Sequence, residues 1–147
     1  MRSRFRRLLS DTTGVSALEF AIISPVLMTL LLGIFQVGIV MNDHLVLTNA
    51  AAQGALAIAL SRGSATPFTA TTAAIASASP NFTQANVAKT VTLNGTACTT
   101  DSTCAAALVA GQTATVRATY PCSLTIMGVN YAPSGCTLTA QSAQMVQ

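Results

Sequence analysis

The sequence predicts an α+β protein in which a long N-terminal transmembrane helix continues into a small antiparallel sheet. Three observations predict this class. Residues 17–40 form an apolar run in which Glu19 is the only charged residue. An alanine-rich stretch follows as far as Leu60. From Asn86 onward, apolar and polar residues alternate at every second position, which is typical of half-buried strands.

The composition sets limits on how such a chain is stabilised. Its 147 residues suffice for one modest domain and an anchor. Only 7% of residues are charged, against about 25% in ordinary soluble domains. Aromatic residues make up 5% and tryptophan is absent. A core of alanine and valine buries little apolar area per residue. We therefore expect disulfides, helix packing or neighbouring subunits to stabilise the outer part.

The net charge of +3 is concentrated in the first 14 residues. That segment holds four arginines and one aspartate (Arg2, Arg4, Arg6, Arg7 and Asp11), whereas the remaining charges cancel. Nucleic-acid binding requires basic residues spread over a folded face. The charge pattern therefore predicts no nucleic-acid partner and indicates a local basic leader instead.

The apolar run is long enough to cross a membrane. Residues 17–40 would extend about 36 Å as a helix, and a hydrocarbon core is about 30 Å thick. The preceding arginines predict a cytoplasmic N-terminus, so residues after Asn42 would lie across the membrane. A cleaved secretory signal, cut between Ala52 and Gln53, is the competing interpretation. The apolar part of such signals is usually only about 7–15 residues long.

Gly14 and Glu19 form the most informative local pattern. A carboxylate inside an apolar helix costs about 2.5–3.5 kcal/mol at the bilayer centre and less near its edge. Glu19 could interact with the positive end of the helix dipole. Alternatively, cleavage after Gly14 would give Val15 a free amino group. Glu19, then the fifth residue, could neutralise the new N-terminus of a neighbouring subunit.

Five features of the sequence occur together: the arginine-rich leader, residues 14–20, Pro25, residues 32–34 and the alanine-rich residues 47–60. In these features the chain resembles type IV prepilins and, more narrowly, the TadE/TadG-like pseudopilins of tight-adherence (Tad/Flp) pilus systems. Val15 stands where many pilins have phenylalanine.

This resemblance implies cleavage by a prepilin peptidase at the cytoplasmic side of the bacterial inner membrane. It also implies a periplasmic head of pilin-like fold and other pilin or pseudopilin subunits as partners. Within that family the expected role is pilus assembly without catalysis, and the resemblance leaves open whether the protein enters the surface filament.

The residues beyond the apolar run predict further elements. The spacing of Leu45, Ala52, Leu56 and Ala59 predicts a helix that continues the anchor and stops near Arg62-Gly63-Ser64. Residues 68–78 predict a second short helix ended by Pro80, with a flexible linker as the alternative. Four strands are predicted, at residues 87–93, 113–120, 124–129 and 137–146. The predicted division is a leader (1–14), the helix (15–62), a connector (63–85) and a disulfide-containing sheet domain (86–147).

The four cysteines all fall on the outer side of the predicted span. An even number outside the cytoplasm favours disulfides. Three pairings are possible, and we favour Cys98–Cys104 with Cys122–Cys136 because each closes a local loop. A zinc site usually requires cysteine pairs two to four residues apart, which these spacings do not provide.

The sequence offers no group of residues suited to catalysis. His44 is the only histidine and Glu19 the only glutamate, and the aspartates lie far apart. We therefore expect no enzyme activity, no cofactor, no metal and no small-molecule substrate. An uncleaved, membrane-anchored periplasmic binding module is the functional alternative.

Overall fold

The computed structural model describes residues 15–126 and 128–147. One helix, α1, runs from Val15 to Leu60, and a second, α2, from Pro67 to Ala78. A short 3-10 helix at Gln84–Asn86 precedes the sheet. The chain divides into two compact units, one ending at Gly38 and the other covering Ile39–Gln147.

The second unit contains a four-stranded antiparallel sheet in the order β2-β1-β3-β6. Its strands are β1 (Ala88–Leu93), β2 (Thr96–Cys98), β3 (Thr113–Pro121) and β6 (Thr137–Met145). Helix α3 (Asp101–Ala107) lies between β2 and β3 in the chain. A hairpin of β4 (Thr125–Ile126) and β5 (Val129–Asn130) lies between β3 and β6.

The long helix and the antiparallel sheet confirm the predicted α+β class. The expected helix over residues 68–78 is present as α2, which has proline at its first position, where the missing N–H costs no hydrogen bond. Three of the four predicted strands correspond to β1, β3 and β6. In each of these strands, buried and more exposed residues alternate, because one face of the sheet is buried and the residues on that face recur at every second position.

The strand predicted over residues 124–129 is wrong. The chain reverses within it, so that Thr125 pairs with Asn130 and Ile126 with Val129. Gly128 has a φ of +80°, a conformation that glycine adopts without the steric penalty of a side chain. Asn130 supports the hairpin, because its Oδ1 accepts hydrogen bonds from the backbone N–H groups of Leu124 and Ala132.

The core lies between the buried face of the sheet and residues of α1 and α2. Small residues on α1 allow close approach: a Cβ on Gly54 would lie 2.7 Å from Ile75 Cγ1 and 3.2 Å from Val116 Cγ1. Phe82 and Tyr120 stack with ring centroids 4.2 Å apart. The other fully buried large apolar residues of the core are Leu47, Ile58, Val91 and Leu93.

Helix α1 buries only part of the spaced set of residues that predicted it: Ala59 is buried and Ala52 is half-buried. Leu45 and Leu56 are exposed, whereas Leu47, Gly54 and Ile58 are buried. The helix therefore presents its small residues to the sheet and leaves two larger leucines outside. The side of α1 that is buried is the one whose small residues let the helix backbone pack closely against the sheet, even though larger apolar side chains stay exposed.

Candidate membrane anchor and processing site

The part of α1 from Val15 to Gly38 carries apolar side chains around its whole circumference. No residue of this part is buried, and Phe20 and Val26 each keep 68% of their surface exposed. A helix that is apolar on all sides needs apolar surroundings. By length and composition, α1 qualifies as one candidate membrane span near the N-terminus. Its surface is therefore suited to lipid or to neighbouring helices.

The predicted processing site lies at the start of this helix. Val15 is its first residue and is half-exposed, whereas Gly14 lies outside the described residues. Glu19 is exposed and follows Val15 by four residues. Residues four apart lie on the same face of a helix, about one turn from each other. The carboxylate of Glu19 is thus on the face that carries Val15, in the first turns of the helix.

Pro25 lies inside α1 without ending it. Proline lacks a backbone N–H, so the carbonyl of the residue four positions earlier loses its helical partner. One turn later, the Thr29 hydroxyl donates a hydrogen bond of 2.7 Å to the Pro25 carbonyl. Such local bonds are tolerated in apolar helices, because they satisfy the hydroxyl internally.

The structure joins Cys98 to Cys104 and Cys122 to Cys136. The first disulfide is buried and links β2 to α3, with a Cα–Cα distance of 5.2 Å. The second is half-buried and links the chain just after β3 to the chain just before β6, with 5.5 Å between the Cα atoms. Both disulfides lie in the second unit, where they close local loops.

Asp43 and His44 are neighbours on α1, with Asp43 half-buried and His44 exposed. Within residues 15–126 and 128–147, no three histidine, cysteine, aspartate or glutamate residues lie together in a way that could hold a metal ion.

A contact that the sequence analysis missed joins α2 and α3. Asp101 accepts a hydrogen bond from the Thr69 hydroxyl at 2.6 Å and another from the Thr69 backbone N–H at 2.8 Å. These bonds hold the pKa of the Asp101 carboxyl below its usual range, with the hydroxyl as the largest cause. Asp101 therefore caps the start of α2 from a position 32 residues later in the chain.

The sequence did contain a partial signal for this region. Thr100 and Thr103 form a capping box at the start of α3, a pattern of hydroxyl residues three positions apart. The 32-residue separation of Asp101 from Thr69 gave no comparable signal, because a local pattern does not show which distant helix a carboxylate will cap.

One comparison with known proteins bears on the N-terminal part of the chain. Residues 14–56 match the sequence model of a family described as TadE-like protein. The expected family resemblance is confirmed over these residues, which include the proposed processing site and most of α1. Residues 57–147, with the whole sheet, lie outside the match. Neither a curated protein nor a solved structure matches the chain significantly.

Proposed function

We propose that this chain is a pseudopilin-like membrane protein that takes part in assembly of a Tad-type adhesion pilus. The observation that carries the proposal is the TadE-like match, which begins at Gly14 and covers the apolar part of α1. Gly14, Val15 and Glu19 are the processing residues: a prepilin peptidase cleaves after Gly14, and Val15 becomes the first residue of the mature chain.

The proposed role of Glu19 follows from its position. Cleavage creates a positive amino group at Val15, inside or at the edge of an apolar layer. A carboxylate there offsets the cost of that charge, because opposite charges attract more strongly in a medium of low dielectric constant. Helices that pack side by side bring the Glu19 of one subunit to the N-terminus of the next. The carboxylate thereby selects subunits that have been processed.

The proposed topology places the leader in the cytoplasm and residues after Asn42 in the periplasm. The four arginines of the leader support this direction. Disulfides in the second unit also support it, because they form and persist in oxidising compartments. The protein would act by packing against membrane, peptidase and pilin subunits, and not as an enzyme.

The alternative of a secreted protein cut before Gln53 is less compatible with the core. Leu47, Ala50 and Ala51 are buried in α1. Cleavage at that point would remove all three from the core and divide the helix that supplies them. The other alternative, an uncleaved membrane-anchored binding module, predicts that Met1 or Arg2 remains the first residue.

A processing assay tests the proposal. The full chain, with a C-terminal tag, is expressed in cells with and without an active prepilin peptidase, and its size is compared on gels. We expect a peptidase-dependent shift that Gly14→Val abolishes and that the neighbouring control Thr13→Val retains. Equal sizes in both strains would contradict the processing step.

A second assay tests the role of Glu19 in a strain with a complete Tad apparatus. Glu19→Val should leave cleavage intact and reduce surface pili at least tenfold, whereas the matched control Val26→Leu should leave both intact. Normal piliation with Glu19→Val would show that Glu19 acts only as a partner of the helix dipole.

A further inference from the structure

The disulfide between Cys122 and Cys136 closes a loop that contains no charged residue. We refer to residues 122–136 as the hairpin loop, because β4 and β5 pair within it. Two of its large apolar side chains are open to the surroundings: Val129 is 53% exposed and Tyr131 is 65% exposed. Neighbouring exposed apolar side chains indicate a contact surface more often than isolated ones do.

Val129 and Tyr131 lie on one side of the hairpin loop. The Tyr131 N–H donates to the Leu124 carbonyl at 2.8 Å, so the pairing of β4 with β5 extends to this position. Side chains alternate between the two sides of an extended strand, and Asn130 lies between these two residues. The Asn130 side chain is therefore on the other side, where its Oδ1 accepts backbone hydrogen bonds from Leu124 and Ala132.

Several backbone N–H groups of the hairpin loop find their partners within the loop. The Cys122 N–H donates to the Cys136 carbonyl at 3.2 Å, and the Cys136 N–H donates to the Pro133 carbonyl at 3.0 Å. Three further N–H groups are satisfied by the Asn130 side chain and the Leu124 carbonyl. An unpaired N–H group is costly where water is scarce, so this internal pairing suits a segment that leaves bulk water. The disulfide also fixes the loop in advance, which lowers the entropy lost on contact.

Two contacts show that β6 and α1 run in the same direction. A Cβ on Gly54 of α1 would lie 3.2 Å from Val116 Cγ1 of β3, and Val116 is paired with Ser142 of β6. Five residues later in both segments, the Gln147 N–H donates to the Ala59 carbonyl at 3.2 Å. The path from Ser142 to Gln147 therefore follows the path from Gly54 to Ala59. The start of β6 consequently lies toward the earlier residues of α1.

This direction places the hairpin loop at the end of the second unit where that unit begins. From Ser142 back to Thr137, five residues of strand extend about 17 Å. At a rise of 1.5 Å per residue, this distance equals about eleven residues of α1 counted back from Gly54, and fewer where the strand is tilted. The start of β6 thus lies near residues 43–46. The hairpin loop extends from that end of the sheet, close to Asn42, where the apolar run has ended.

The covered side of α1 reaches the same level. Leu47 is fully buried, and Asp43 and Val40 precede it by four and seven residues, on the same side of the helix. Both are half-buried, whereas Met41 and Leu45, on other sides of α1, are exposed. The second unit therefore extends along α1 at least as far as Val40.

We propose that the hairpin loop is a second membrane contact, which places Val129 and Tyr131 in the headgroup layer of the bilayer that α1 is proposed to span. Tyrosine is enriched in this layer, because its ring is apolar and its hydroxyl stays hydrated. No ionised side chain of the loop has to lose water on contact. Because α1 already holds the second unit at the membrane, the added contact is intramolecular and needs little affinity of its own. It would fix the orientation of the sheet on the membrane surface.

The inference rests on the membrane topology proposed for α1 and on no other part of the proposed function. Cleavage after Gly14 and a role in pilus assembly are not required. A neighbouring subunit is the other partner that an uncharged loop could contact. Such a partner would shield Tyr131 from lipid, so the accessibility of this position to lipid separates the two partners.

Tryptophan fluorescence tests the contact, because the natural chain contains no tryptophan. The full chain is reconstituted into phosphatidylcholine vesicles that carry a lipid-attached quencher, either near the headgroup or deep in the acyl chain. Tyr131→Trp reports on the hairpin loop, and Val26→Trp reports on the span. Val109→Trp is the matched control: its position is 52% exposed and lies beside the hydrogen bond from the Gly111 N–H to the Val146 carbonyl, at the far end of β6.

We expect the shallow quencher to reduce the fluorescence of Tyr131→Trp about threefold more than that of Val109→Trp. The deep quencher should act most strongly on Val26→Trp. Equal shallow quenching of Tyr131→Trp and Val109→Trp, together with deep quenching of Val26→Trp, would overturn the hairpin contact and leave the span intact. Absence of deep quenching in Val26→Trp would overturn the span and, with it, the hairpin contact.

A charge on the apolar side of the hairpin loop provides the second arm of the test. In the Tyr131→Trp background, Val129→Asp should lower shallow quenching to the level of Val109→Trp, because an ionised carboxylate resists transfer out of water. The control Val129→Thr has a similar size and no charge, so it should retain most of the quenching. Circular dichroism checks that both variants keep the fold. Undiminished quenching with Val129→Asp would overturn the placement of Val129 in the headgroup layer.

Discussion

Gly54 on α1 and Ile75 on α2 approach so closely that there is no room for a methyl group between them. A Cβ at position 54 would lie 2.7 Å from Ile75 Cγ1 and 3.0 Å from Ile75 Cδ1. The position is fully inside the core, and Val116 of the sheet closes its other side at 3.2 Å. Gly54 therefore sets the distance at which α1, α2 and β3 pack in the second unit.

We predict that Gly54→Ala destabilises the second unit. Alanine favours a helix over glycine by about 1 kcal/mol, but overpacking a filled core costs about 1–3 kcal/mol. A net loss of about 1 kcal/mol would lower the unfolding midpoint by about 4–8 °C. Thermal unfolding of the full chain in detergent measures this change.

The control for this prediction is Gly38→Ala, since beyond its chain neighbours and the backbone of its own helix no atom lies within 4 Å of the corresponding Cβ. That variant should leave the midpoint unchanged or raise it. Ile75→Ala frees the space beside position 54, so in that background Gly54→Ala should lower the unfolding midpoint less than it does in the natural chain. An equal cost in both backgrounds would show that contact with Ile75 is not the cause.

The contact between Asp101 and Thr69 predicts a dependence of stability on pH. The two hydrogen bonds from Thr69 lower the pKa of the folded Asp101 carboxyl. The ionised Asp101 carboxylate therefore stabilises the fold fully above the pKa of an aspartate in the unfolded chain, about 3.9. This stabilisation is lost as the pH falls through the lower pKa that Asp101 has in the folded chain. Thr69→Val removes the hydroxyl donor, so acid unfolding should begin at a higher pH.

Acid titrations followed by circular dichroism test this effect. Thr72→Val is the matched control, because the Thr72 hydroxyl donates within its own helix, to the Thr69 carbonyl. It should leave the acid midpoint unchanged, and Thr69→Ser, which keeps a hydroxyl, should behave like the natural chain. Identical acid midpoints for Thr69→Val and Thr72→Val would contradict the assignment.

The two disulfides should differ in their accessibility to a reductant. Cys98 is 3% exposed and Cys104 is fully buried, whereas Cys122 and Cys136 are half-buried. Thiol–disulfide exchange requires the attacking thiolate to reach a sulfur atom. Under native conditions, graded dithiothreitol should therefore reduce Cys122–Cys136 first and leave Cys98–Cys104 intact.

Alkylation followed by peptide mass spectrometry identifies which pair has been opened. In urea, where burial no longer protects either pair, both disulfides should be reduced over the same concentration range. Earlier loss of Cys98–Cys104 in the folded chain would contradict the difference in protection.

The sequence was informative where a regular period persists over many residues. Strand β3 alternates over nine residues because Ala114, Val116 and Ala118 are buried and the residues between them are not. Shorter elements lack such a signal, so the three-residue β2 and the seven-residue α3 went unrecognised. The hairpin of β4 and β5 was mistaken for one strand because the reversal depends on the local conformation at Gly128.

Tertiary contacts explain the remaining differences at the candidate site. The spacing of Leu45, Ala52, Leu56 and Ala59 predicted a helix but did not show which side of it is buried. The fold buries the side with Gly54, because only a small residue permits this close approach. The long apolar helix at the start of the described residues could be predicted from composition, since a continuous apolar run is a local feature; the role of Glu19 stays a prediction. The TadE-like match over residues 14–56 agrees with the predicted family resemblance.

The N-terminal residue of the mature protein tests the central claim most directly. The full chain is purified from membranes of cells with an active prepilin peptidase, and its N-terminal peptide is identified by mass spectrometry. The proposed processing predicts a peptide that begins at Val15 and contains Glu19 as its fifth residue. An N-terminus at Met1 or Arg2, or a soluble product beginning at Gln53, would contradict it.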